Sequence, residues 1–140
     1  MKKILNISFI YFLLAMVGGV FYREFTKVLG FTGQTTLGYI HVHLIVLGSI
    51  LFLIIALFCR DTELLYNKTF KKFMVIYNIG LPLMVCMMLI RGIIQALELQ
   101  VTSGVNGMIS GIAGVSHILL MIALWMLFTS LKKVLVNEEK

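Results

Sequence analysis

The sequence predicts an all-α membrane protein, a single bundle of four transmembrane helices spanning residues 1–140 with both termini in the cytoplasm. Three observations predict it: the composition, the lengths of four apolar stretches, and the placement of the basic residues. Of the 140 residues, 60% are hydrophobic and only 13% are charged, and the mean hydropathy of +1.01 does not describe a surface in contact with water. The apolar stretches cover roughly 4–22, 37–58, 73–97 and 108–131. Each is near the roughly 20 residues a helix needs to cross a bilayer. Lipid cannot hydrogen-bond a backbone, and these stretches lack the period-2 alternation of a barrel strand, so they are helices.

The first stretch follows Lys2 and Lys3 and contains Gly18 and Gly19, features it shares with a secretory signal peptide. No small-x-small cleavage triplet precedes Tyr22-Arg23-Glu24, so it is read as a helix. The net charge of +6 reports orientation. Lys2, Lys3, Arg60, Lys68, Lys71, Lys72, Lys132, Lys133 and Lys140 belong to one side, against Arg23 and Lys27 on the other. By the positive-inside rule the first side is cytoplasmic, which makes this a multi-pass protein of the cell membrane, in contact with lipid and not with nucleic acid.

The second stretch opens Thr35-Thr-Leu-Gly-Tyr-Ile-His-Val-His43 and runs inward, placing both histidines in the outer half of the membrane, about 6 to 9 Å below its start. Two residues turn a helix by about 200°, so His41 and His43 point to nearly opposite faces and do not readily ligate one metal together. The third stretch, in which Pro82 is the interruption, carries Arg91 and Gln95 one turn apart, with Glu98 on the next turn. On the fourth, Ser103, Gly107, Ser110, Gly114 and His117 recur at four- and three-residue steps along one face. Such a stripe permits close helix contact, and it also leaves room for a flat cofactor reaching His117. Cys59 and Cys86 have neither pair spacing nor an oxidising location and read as packing residues.

An ionisable group at the middle of a membrane helix costs about 2.5 to 3.5 kcal/mol on an insertion scale, so these residues mark a candidate site. Arg91 could instead snorkel outward or pair with Glu24 as a clamp between helices, and a histidine can be satisfied by an interhelical hydrogen bond. Neutral imidazole suits iron, copper and zinc, and a haem needs axial nitrogens, cations near its propionates and apolar walls. His41, His43 and His117 are the candidate metal ligands, with Arg91 and Arg23 as propionate partners. No Cys-x-x-Cys-His attachment motif is present, so a bound haem would be haem b.

The stretches Gly19–Lys27, Thr35–Leu44, Tyr77–Gly80, Met88–Gly92 and Ser110–His117 resemble a family of short bacterial four-helix membrane proteins known only as a domain of unknown function. That likeness covers nearly the whole chain and implies the fold, not an activity. A more distant likeness involves His41-Val-His43 followed by Leu44, Val46, Leu47 and Gly48. It is similar to the His-x-His helix of haem-copper oxidase subunit I and of NnrS-like haem proteins, where the two histidines serve different metal centres. There, three four-helix units form a pseudo-threefold ring, which implies a homotrimer here, with haem between neighbouring copies of the second helix. The chain lacks the copper-site histidine cluster and the crosslinking tyrosine pattern of the oxidases, so oxygen reduction is not carried over.

The reading is a bacterial inner-membrane haem b protein for electron transfer, gas binding or haem handling. Two alternatives stand beside it: a non-haem copper or zinc site, and a small transporter or channel whose Arg91, Glu98 and histidines handle protons or anions. No nucleophile-base pair or paired carboxylates lie in the apolar stretches, which disfavours an enzyme.

Overall fold

A computed structural model describes residues 1–138, with side chains through residue 136. Lys140, counted above among the basic residues of one side, lies outside the described residues. The chain forms α1 (Lys2–Leu29), α2 (Leu37–Asp61), α3 (Lys68–Ala96) and α4 (Ser103–Glu138), with a short 3-10 turn, Glu63–Tyr66, between α2 and α3. All four helices are long and apolar enough to cross a membrane. They are also longer than the apolar stretches that predict them. Leaving a helix exposes unpaired backbone groups, and extending it into the headgroup region defers that cost. Thus α1 continues through Tyr22, Arg23 and Glu24 to Leu29, and α3 runs unbroken through Pro82.

Consecutive helices pack side by side: most extensively α1 on α2, then α3 on α4, and less extensively α2 on α3. Among the described residues α1 and α4 make no substantial contact. The helices therefore form an open row with two faces. Its centre is aromatic: Phe52 of α2 meets Tyr11 of α1 at 5.8 Å between ring centroids and Tyr77 of α3 edge-on at 5.7 Å. Phe73 packs on Tyr77 at 5.1 Å. Such pairs add to the area they bury and fix the helices' relative rotation.

Two glycines set the closest approaches. A Cβ on Gly48 would lie 2.6 Å from Tyr11 Cβ, so α1 rests directly on the α2 backbone there. A Cβ on Gly92 would lie 2.6 Å from Leu37 Cγ and 2.7 Å from its backbone nitrogen. Around that second contact the start of α2 is tied to α3 by three hydrogen bonds. Thr35 Oγ1 donates to the Gly92 carbonyl at 2.8 Å, Thr36 Oγ1 donates to the Met88 carbonyl at 2.7 Å, and the Thr36 N–H donates to Gln95 Oε1 at 2.8 Å.

Within α2, residues Leu44–Ile50 form a π-helical segment immediately after His43. Its carbonyls find partners outside the helix: Leu47 O accepts from the Tyr77 hydroxyl at 2.8 Å and Ser49 O from the Ser8 hydroxyl at 2.9 Å. A widened turn in a membrane helix is tolerated where neighbouring side chains satisfy its polar groups in this way.

Two expectations are corrected. Glu98 does not continue the α3 face: the helix ends at Ala96, and Glu98 takes a left-handed conformation (φ 53°). There its N–H donates to Gln95 O at 3.2 Å while Leu99 N–H donates to Ile94 O at 3.1 Å. Gly30 ends α1 in the same way at φ 63°, the glycine-favouring Schellman geometry. The second correction concerns α4. Its buried stripe is Ser116, Leu120, Ala123, Leu127 and Ser130, not the Ser103-to-His117 stripe. A Cβ on Gly104, Gly107, Gly111 or Gly114 would meet nothing within 4 Å. Those glycines are not covered by the chain's own helices.

Candidate functional site: a histidine-lined groove

The two histidines of α2 point where a two-residue step on a helix sends them. His41 turns toward α1, with its ring 3.7 Å from where a Cβ on Gly19 would sit, and its buried Nδ1 has no hydrogen-bond partner. His43 turns the other way, into a groove that α2 forms with α3 and α4. That groove has a volume of about 490 Å³, and His117 of α4 also lines it. Its remaining wall includes Leu47, Met84, Met121, Trp125 and Phe128. The aromatic edge is open to the surroundings, with Trp125 76% exposed.

The tautomer of both groove histidines follows from their partners. His43 Nδ1 lies 2.8 Å from the Tyr39 carbonyl and His117 Nδ1 lies 2.8 Å from the Ala113 carbonyl, each four residues earlier on its own helix. A carbonyl only accepts, so each Nδ1 carries the proton. Each Nε2 is left with a lone pair on the side of the ring away from its own helix. This is how a metal-ligating imidazole is usually oriented by its second nitrogen.

Arg91 lies on the same stripe of α3 as Met84, seven residues and about 10.5 Å farther along the axis. Its Nη2 donates to Ser110 Oγ at 2.7 Å, and that hydroxyl donates to the Asn106 carbonyl at 2.9 Å. Ser110 stands about 10.5 Å above His117 on α4, with Gly114 between them. Arg91 has no carboxylate partner among the described residues. The alternative clamp with Glu24 does not form: α2 lies between α3 and α1, and Glu24 pairs with Arg23 at 3.7 Å. That pair is exposed and contributes little, and it leaves Arg23 on α1, outside the groove's lining.

Of the candidate residues, then, the structure brings His43 and His117 to one groove and places Arg91 above it. His41 and Arg23 lie on the α1 side. Gln95 caps the start of α2. Among the described residues no three His, Cys, Asp or Glu side chains gather where they could hold a metal ion. Both cysteines are free, Cys59 in the core and Cys86 on the wall of a second, almost wholly apolar recess of about 400 Å³ between α1, α2 and α3.

Sequence reasoning missed Met84, Met121 and Trp125 as groove residues. The signal was present: Met121, Trp125 and Phe128 follow His117 at four- and three-residue steps, and Met84 precedes Arg91 by seven. It also missed the polar contact from Tyr11, whose hydroxyl donates to Asn78 Oδ1 at 3.0 Å and joins α1 to α3.

Four helices long and apolar enough to cross a membrane place this chain among small four-helix membrane proteins. It belongs to the family described as protein of unknown function DUF2871, which matches residues 1–134. No curated protein matches the chain, and no solved structure does. None of these comparisons supports a likeness to haem-copper oxidase or NnrS-like proteins.

Proposed function

We propose that this membrane protein holds a haem b in the groove between α2, α3 and α4, with His43 and His117 as axial ligands. The observation that carries the reading is the convergence of two imidazoles, each with Nδ1 bonded to its own helix, on one apolar groove. Two further features support it. The open glycine face at Gly114 leaves a path for a flat macrocycle between His117 and Ser110. Arg91, a cation with no carboxylate partner among the described residues, lies about 10.5 Å along α3 from Met84 of the groove. When bound, the haem would supply one-electron or gas-binding chemistry. The protein's residues would fix its axial ligation, neutralise its propionates and keep water from its faces.

In this reading both termini are cytoplasmic, as the basic residues at the termini and in the α2–α3 connection favour, and the haem lies in the outer half of the membrane. An open row of helices leaves α1 and α4 free to meet other copies, and a homotrimer is the assembly this proposal adopts. The test is protein purified from haem-replete cells. A Soret band that the His43→Ala and His117→Ala variants each lose or shift supports the reading, and colourless protein overturns it.

A second reading has its own observation. Met84 and Met121 bring two thioethers to the same groove as the two imidazoles, a soft donor set suited to Cu(I) rather than zinc. Elemental analysis separates the two: copper without a haem spectrum selects this one. Liposome flux that survives replacement of all three histidines would favour the transporter reading over either metal reading.

A further inference from the structure

The end of the bundle that carries the starts of α1 and α3 has a cavity the haem reading does not use. It lies between the first turn of α1, the first turns of α3 and the 3-10 turn, with a volume of about 260 Å³. Its floor is apolar: Ile4 and Phe70 are each 2% exposed, and Leu65 and Met74 complete it. Its rim carries Lys3 from α1 and Lys71 from α3. Neither lysine has a carboxylate partner among the described residues, and no carboxylate lines the cavity. Glu63 opens the 3-10 turn but does not line the cavity, and Asp61 is paired with Arg60 at 2.8 Å.

We propose that this cavity is a binding site for an anionic phospholipid, with the phosphate held between Lys3 and Lys71 and an acyl chain laid on Ile4, Phe70 and Met74. The chemistry is complementary at both ends. Two ammonium groups from different helices converge where a membrane helix leaves the hydrocarbon, which is the level of lipid phosphates. The floor beneath them faces chain methylenes. The volume suits a segment of one chain, so the headgroup remains at the rim. A zwitterionic lipid offers the same chain, but its own ammonium group cancels the attraction to the two lysines. The N-terminal N–H groups of α3 are not the source of the site, since Asn67 Oδ1 already accepts from Thr69 N–H at 2.8 Å and Phe70 N–H at 3.2 Å.

The experiment is native mass spectrometry of the full chain released from nanodiscs containing equal parts phosphatidylglycerol and phosphatidylcholine. One phosphatidylglycerol should be retained per chain in preference to phosphatidylcholine. The double variant Lys3→Gln/Lys71→Gln should lose that preference about tenfold, while Lys68→Gln/Lys132→Gln keeps it. Circular dichroism confirms that both variants remain helical. Equal retention of the two lipids, or unchanged preference in the Lys3/Lys71 variant, overturns the proposal. A third arm adds millimolar inorganic phosphate to protein in neutral detergent. Thermal stabilisation equal to that from phosphatidylglycerol would assign the lysines to free phosphate and overturn the lipid assignment.

Discussion

His43 and His117 face one groove from two helices that are not neighbours in sequence, and each donates its Nδ1 proton to a carbonyl 2.8 Å away on its own helix. This pairing of position and tautomer distinguishes them from His41, whose Nδ1 is buried on the α1 side without a partner. If they hold the haem, removing either should weaken its binding and alter its spectrum. A His117→Ala variant should bind haem more weakly and show a high-spin spectrum, measured by visible absorption and pyridine haemochrome content. His41→Ala should leave ligation intact.

Arg91 should matter through charge. Its guanidinium holds Ser110 and has no carboxylate partner among the described residues, which leaves donors free for propionates. A hydrogen bond to a charged group contributes about 1.5 to 3 kcal/mol. Arg91→Leu is therefore expected to weaken haem affinity about tenfold or more, measured by competition with apomyoglobin. Arg91→Lys should recover part of the loss.

Gly114 tests the shape of the site. Nothing lies within 4 Å of a Cβ placed there, so a larger side chain does not disturb the chain's own packing. Gly114→Leu should leave helicity and thermal unfolding unchanged while lowering haem content severalfold. Unchanged haem content would remove the Gly114 face from the cofactor path.

Gly92 behaves in the opposite sense. Its missing Cβ is what allows Leu37 to sit against the α3 backbone, and Leu37 is fully buried. Gly92→Ala forces α2 and α3 apart at the point where Thr35 and Thr36 dock. Overpacking of this kind costs about 1 to 3 kcal/mol. A clear drop in the unfolding temperature in detergent is the expected result, with Gly104→Ala as the control that shows none.

The four helices were legible because lipid imposes a simple rule on length and polarity, and the opposite directions of His41 and His43 followed from helix geometry alone. What the sequence did not disclose depends on which helices meet. The Ser103-to-His117 stripe has the small residues of a contact face, yet α4 packs through Ser116, Leu120, Ala123, Leu127 and Ser130. Both stripes have the same four-three spacing, and periodicity cannot say which one a neighbour covers. The π segment at Leu44–Ile50 has no local signature either, since the hydroxyls that satisfy it come from Ser8 and Tyr77 on other helices. Arg91 found a serine instead of Glu24 because α3 packs against α4, which carries Ser110, while α2 lies between α3 and α1.

The most direct measurement of the central claim is the absorption spectrum of detergent-solubilised protein from haem-replete cells, taken for wild type, His41→Ala, His43→Ala and His117→Ala side by side. The account predicts a Soret band in wild type and His41→Ala that is lost or shifted in His43→Ala and in His117→Ala. A colourless wild type, or a spectrum that changes only in His41→Ala, would contradict it.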